Sequence, residues 1–316
     1  MRDRQAMACQ LAILTALAAL AASLTGCSGG GSGELTTTQK YEQCVANTNN
    51  LQKAVCLIRL SDEQERLRDR AGARQSRETA LEAAQGIQQV DERVSALLDL
   101  AEAHVTGKDN SGARKTYAVA AEAIKDGDLS EADRARFLVR LAGIRIRADR
   151  RDGPDEALDD LEDAEALIDS ITLADDKAEV LAMMITCYQL LEDTEATKRI
   201  GGMLEVLPDS IEDWSKKVQA LVAVAIAQRT ALDDAAGGLE TLGQARAIVE
   251  GINVEGSSNR LKKAERLYDV AEGYIGAQDR ESARALLDAS DQLAKQDALG
   301  ESLLERINEL RASGGL

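Results

Sequence analysis

Leu97 to Ala120 reads LLDLAEAHVTGKDNSGARKTYAVA, and this stretch decides the fold class. Val94, Leu97, Leu98, Ala101 and Val105 recur at three- and four-residue steps, the spacing of one helix face. Gly107 to Gly112 is polar and glycine-containing, as a tight turn requires. Ala113, Tyr117, Ala120, Ala121 and Ile124 then line a returning helix, which Gly127 ends. Asp91 and Glu92 sit in the first turn of the leading helix, where its dipole favours acids. The stretch predicts two short amphipathic helices folded back on each other.

The same offsets return further on. Relative to Ala101, large apolar residues lie one and four before, and Ala113, Tyr117 and Ala120 lie twelve, sixteen and nineteen after. Around Ala271 these places hold Val270, Leu267, Ala283, Leu287 and Ser290. Around Met184 they hold Met183, Val180, Ala196, Ile200 and Met203, with Pro208 following. The Ala142 pair has three extra turn residues before Ala157, Leu161 and Ala164. A fifth pair centres on Ala225, and Gly237, Gly238 and Gly243 are expected to disturb its return helix. Small residues let two helices approach closely, and larger ones at the next turns fill the space toward the following pair. One hairpin cannot bury its own apolar faces, so the core must come from stacking.

Composition agrees. Two prolines and seven aromatic side chains in 316 residues leave little for strands, so the chain is expected to be all-α. Its 38 basic and 55 acidic residues give a formal charge of −17, which disfavours nucleic acid as a partner. The acids are spread through helical patterns, as on a solvated face.

Residues 86–298 resemble about five tetratricopeptide (TPR) units, helix pairs with small and large residues at fixed places and often a proline closing the second helix. Tyr274, Ala283 and Leu287 carry the resemblance best, with Ala113, Tyr117, Ala120 and Pro208. The chain departs in three respects: Ala101, Ala142, Met184, Ala225 and Ala271 stand where glycine is usual, the early tryptophan is missing, and the unit is longer. The resemblance implies a right-handed superhelix of stacked antiparallel helix pairs, a TPR-like α-solenoid; a neighbouring repeat class or an irregular bundle is the alternative. It also implies partner binding through the concave face of the first helices. Carried over by offset, that face holds Arg136, Val139 and Arg147, then Tyr188 and Gln189, Val222 and Arg229, and Tyr268, Glu272 and Ile275. Residues 299–316 form a capping helix, Glu301 to Leu310, and a frayed tail.

At the N-terminus, Arg2 and Arg4 precede the apolar run Leu11 to Leu24, too short to span a membrane and laid out as a secretory signal. Leu24-Thr25-Gly26-Cys27 follows, then a glycine-serine run to Gly33. This resembles a bacterial lipoprotein signal over residues 1–26, which implies acylation of Cys27, a flexible tether over 27–39, and a chain held at the cell envelope. Ser28 after the cysteine implies the outer membrane, facing the periplasm, in an organism with two membranes.

Residues 40–85 read as an N-terminal helical hairpin region. Cys44 and Cys56 flank Asn47 to Asn50, a turn signal, and a disulfide there would staple two short helices in an oxidising compartment; two buried thiols is the alternative. Asp62 to Gln85 reads as helical and very charged, with Leu67, Ala71, Ala80, Leu81 and Ala84 as its apolar seam.

No residue set specifies a reaction. His104, the single histidine, occupies the place of Tyr274 or Cys187 and reads as a packing residue. No metal site is completed by the cysteines, no phosphate loop is present, and neither cofactor nor metal is expected. Arg136, Arg140, Arg145, Arg147, Arg150 and Arg151 form a basic stripe. Pairing with the seven acids of Asp155 to Glu165 is the simpler reading of it, and an anionic partner the other. The expected function is a noncatalytic, lipid-anchored scaffold for a protein or peptide partner. A cell-wall glycan-processing enzyme with an acidic site and a structural oligomer are the alternatives.

Overall fold

The computed structural model describes residues 35–149, 151–230, 232–254, 257–297 and 300–316. The signal stretch, Cys27, most of the tether and Arg150 lie outside them. The described chain is all-α, built of paired and stacked helices, with no strand among the described residues. Its helices are α1 (Thr37–Val45), α2 (Asn50–Arg66), α3 (Arg70–Gln85), α4 (Val90–Thr106), α5 (Asn110–Asp126), α6 (Glu131–Ala148), α7 (Gly153–Leu167), α8 (Ala174–Leu190), α9 (Thr194–Glu205), α10 (Trp214–Thr230), α11 (Ala235–Gly251), α12 (Ser257–Gly276), α13 (Arg280–Ala294) and α14 (Glu301–Gly314). They fall into two compact units, α1 to α7 before Thr172 and α8 to α14 from it.

The turn within a pair follows one plan five times, lengthened by one residue before Asp234 in the α10/α11 pair. Arg68, Lys108, Glu192, Asp233 and Gln278 adopt the left-handed conformation, and an aspartate follows each. That aspartate closes one helix and opens the next. The Asp109 N–H donates to His104 O at 2.8 Å, as Asp69 does to Gln64, Asp193 to Tyr188 and Asp279 to Tyr274. Its Oδ1 then accepts the N–H three residues on: Gly72 at 3.0 Å, Gly112 at 3.0 Å, Ala196 at 2.9 Å, Gly237 at 2.8 Å and Ser282 at 3.1 Å. Such a cap contributes about 1 kcal/mol. A polar residue, Asp, two residues and a small residue is therefore the sequence mark of each turn.

That mark corrects several expectations. Asp62 to Gln85 is helical but divided at Leu67 to Asp69, and Leu67, 61% exposed, and Ala71, also at the surface, do not belong to its seam. α2 and α3 form a sixth pair, centred on fully buried Ser61, with Leu57 and Leu60 before and Ala73, Arg77 and Ala80 at the three offsets. Ser61 and Arg77 stand where other pairs carry apolar residues, which hid it. In the α8/α9 pair the cap places Ile185, not Met184, opposite Ala101, so Tyr188 rather than Cys187 matches His104 and Tyr274. α11 runs unbroken through Gly237, Gly238 and Gly243; a Cβ on Gly238 would lie 2.9 Å from Ala225 O, so that glycine permits the helix crossing. α1 begins at Thr37 with a capping box between Thr36 and Gln39, inside the stretch assigned to the tether. At the other end α14 continues to Gly314 and Leu316 packs on the core, so the tail is not frayed.

Each unit has its own core. Leu57, Leu97, Leu98, Leu100, Leu141 and Ile144 are fully buried or nearly so in the first. Val249, Tyr268, Val270, Leu287 and Ile307 fill the second. Fully burying such a side chain is worth about 1.5–3 kcal/mol, and the alanines let the backbones come close enough to achieve it. Cys44 and Cys56 are bridged, with Cα atoms 5.5 Å apart, which fastens α1 to α2.

Candidate interaction surface

The first helices of successive pairs pack side by side: α2, α4 and α6 in one unit, and α8, α10 and α12 in the other. Of the ten residues assigned to their exposed face, Val139, Tyr188, Val222 and Tyr268 are buried, at 1%, 2%, 8% and 0% exposure. The two tyrosines are packing residues, closed to a partner. Arg136, Arg147, Gln189, Arg229, Glu272 and Ile275 remain half-buried at the face.

Glu272 and Ile275 share their surroundings with α14. The Arg306 guanidinium lies 4.4 Å from the Tyr268 ring centre, a cation–π contact, and Ile275 packs against the second core. Burial, reinforced by Asp269 and partly offset by Arg306, pushes the Glu272 carboxyl up to about 7.

The described arginines of the stripe are internally paired, by more routes than charge spacing suggested. Arg145 meets Glu156 and Asp160 of α7, both at 3.3 Å, as expected. Arg140 instead reaches back to α4, with Nη2 2.7 Å from Asp99 Oδ1 and 3.5 Å from Glu102. Arg147 lies 3.7 Å from the same Glu102 and donates to Gly143 O. Arg136 pairs with Asp133 on its own helix, and exposed Arg151 lies near Asp152. Burial raises the Glu102 carboxyl despite both arginines, so the network is an expensive one held by geometry.

His104 is 5% exposed, with Nδ1 2.9 Å from Asp109 Oδ2. Burial lowers its pKa, and no nucleophile is arranged around it. Its place along the first helix is a polar one in two other pairs. There Gln64 accepts from Ser76 Oγ at 2.7 Å and Gln228 accepts from Thr241 Oγ1 at 2.8 Å.

Arg229 differs from the other half-buried arginines. Its Nη1 is buried without a hydrogen-bond partner, and burial lowers its pKa with no carboxylate opposing. The guanidinium lies over Gly276, where an added Cβ would stand 2.6 Å from Nη1 and 2.7 Å from Nη2. Beside it, Gln189 Nε2 donates to Thr230 Oγ1, linking α8 to α10.

Among the described residues no group of three or more His, Cys, Asp or Glu side chains could hold a metal ion, and no helix is long and apolar enough to cross a membrane. No protein-family description and no curated protein matches the chain. Among solved structures, BtubC (BKLC) from P. vanneervenii is 13% identical, with a TM-score of 0.47 over 83% of this chain and 92% of that one. Ton1535 from Thermococcus onnurineus NA1 is 15% identical, with a TM-score of 0.35 over 86% and 79%.

Proposed function

We propose that the protein is a noncatalytic scaffold, anchored to the cell envelope by acylated Cys27, whose TPR-like pairs hold a protein or peptide partner on the face of their first helices. One observation carries the partner reading: Arg229, half-buried on that face in a strongly acidic chain, has a guanidinium that no carboxylate among the described residues neutralises. A carboxylate or other acidic group on a partner would complete it through paired N–H donors. The Cys44–Cys56 bridge supports an oxidising compartment. The anchor, the periplasm-facing outer membrane and the superhelical form rest on the sequence patterns.

The test is crosslinking from Gln189 in native membranes, followed by identification of the captured protein. A defined partner is expected, captured several-fold less by Arg229→Ala at unchanged thermal stability. Recovery of the chain alone, with hydrolysis of wall fragments by the pure protein, would overturn the scaffold in favour of an enzyme. Cys27→Ser is expected to release the protein from membranes.

A further inference from the structure

In the first unit a groove of about 480 Å³ opens between α3 and α5, at the edge where their turns lie. Arg70, Arg74, Arg77, His104, Lys115 and Thr116 line it. Two buried polar atoms at its wall have no hydrogen-bond partner in the protein: Nε of Arg77, a residue 3% exposed, and Oγ1 of Thr116, which is fully buried. A buried donor left unmade costs roughly 1–3 kcal/mol, so two in one groove call for an acceptor.

The acids there are already engaged. Glu65 binds Arg77 at 2.7 Å, Glu78 binds Arg74 at 3.1 Å, and Asp109 caps α5 while holding His104. Arg70 and Lys115 are exposed and make no ion pair among the described residues. Ser111 lies in the first turn of α5, whose amides and dipole add positive potential. Gly107 and Gly112 keep the wall open: a Cβ on Gly107 would stand 2.3 Å from Arg77 Nη1, and one on Gly112 would stand 2.2 Å from His104 Nδ1. Surplus cations, a helix start and orphaned donors meet at one place in a chain of net charge −17.

We infer that this groove binds a phosphate-type oxyanion, which accepts from Thr116 Oγ1 and Arg77 Nε and is flanked by Arg70 and Lys115. Such an ion would tie α3 to α5 and stabilise the first unit by mass action. The inference is independent of the partner face in the second unit.

The test is thermal unfolding and calorimetric titration of the full chain with inorganic phosphate, at ionic strength matched with chloride. Saturable binding and a raised melting temperature are expected. Arg70→Ala with Lys115→Ala, both at the surface, is expected to weaken binding about tenfold, the effect of losing roughly one charge-assisted hydrogen bond. Thr116→Val keeps the side-chain shape and is expected to weaken it without lowering stability in chloride. Glycerophosphoglycerol, the soluble headgroup of phosphatidylglycerol, distinguishes the sources: tighter binding than inorganic phosphate assigns the groove to a lipid headgroup, weaker binding to a soluble phosphate. The site is refuted if phosphate gives no saturable signal, or if the double variant binds as well as the native chain.

Discussion

Asp109 serves two helices at once: Oδ1 caps α5 through the Gly112 N–H at 3.0 Å, while Oδ2 holds His104 of α4 at 2.9 Å. Burial lowers the His104 pKa, although the hydrogen bond to Asp109 opposes it. A group whose folded pKa is depressed contributes stability above its unfolded value, near 6.5, that is lost as pH falls toward the folded one. The His104 contribution is therefore expected to fall away as pH drops below about 6.5. His104→Gln introduces the residue used at Gln64 and Gln228, and should fold normally while flattening that slope in urea titrations. Asp109→Ala should cost about 1–2 kcal/mol by removing the cap.

Asp160 behaves in the opposite sense. Burial raises its carboxyl to about 7 despite Arg145, with Asp163, Glu156 and Asp159 adding to the rise. Its folded pKa lies above the unfolded one, so the stability it contributes is present at low pH and lost as pH rises through 7. Asp160→Asn should thus be more stable relative to the native chain at pH 8 than at pH 4, with a change of up to about 4 kcal/mol between them. Chemical denaturation at both values reads it.

The glycines of the second unit separate by position. Gly202 in α9 and Gly243 in α11 have open space where a Cβ would stand. Gly202→Ala and Gly243→Ala should each stabilise by about 0.5–1 kcal/mol. Gly238→Ala should destabilise, by about 1–3 kcal/mol, because its Cβ would press on the Ala225 carbonyl. Equilibrium unfolding of the three variants checks the contrast.

Replacing Cys44 and Cys56 with serine should lower stability by about 2–4 kcal/mol and loosen α1 from α2. Non-reducing peptide mapping should recover the two cysteines as one crosslinked fragment, and hydrogen exchange should speed up over Thr37 to Val45.

Much of the architecture was written locally. The three- and four-residue steps around Ala101 and Ala271 defined helix faces, and the cysteine spacing fitted a stapled hairpin. The turn mark was also present, in Arg68-Asp69, Lys108-Asp109, Glu192-Asp193, Asp233-Asp234 and Gln278-Asp279. It lies in the polar residues between the apolar ones, outside the pattern of small-residue centres. With it, the α2/α3 pair and the register of α8/α9 were both legible.

The candidate site was legible only in outline. Helical offsets placed Tyr188, Tyr268 and Arg229 along the first helices, but a helix face has no outside until its neighbours are set. Packing of adjacent pairs buried the tyrosines and left Arg229 half-buried. The groove between α3 and α5 joins residues from four helices and had no contiguous signal.

The sequence alone determined that this chain is a series of helix pairs, since periodicity, caps and a short-range cysteine pair depend on residues a few positions apart. Tertiary structure alone decided which charges meet and which are left over. Arg140 takes Asp99 as its partner across 41 residues of chain, Arg229 finds no acid among the described residues, and Thr116 and Arg77 reach one groove. Coulomb energies and burial depend on distance in space and on the solvent displaced, and neither exists until the pairs have stacked.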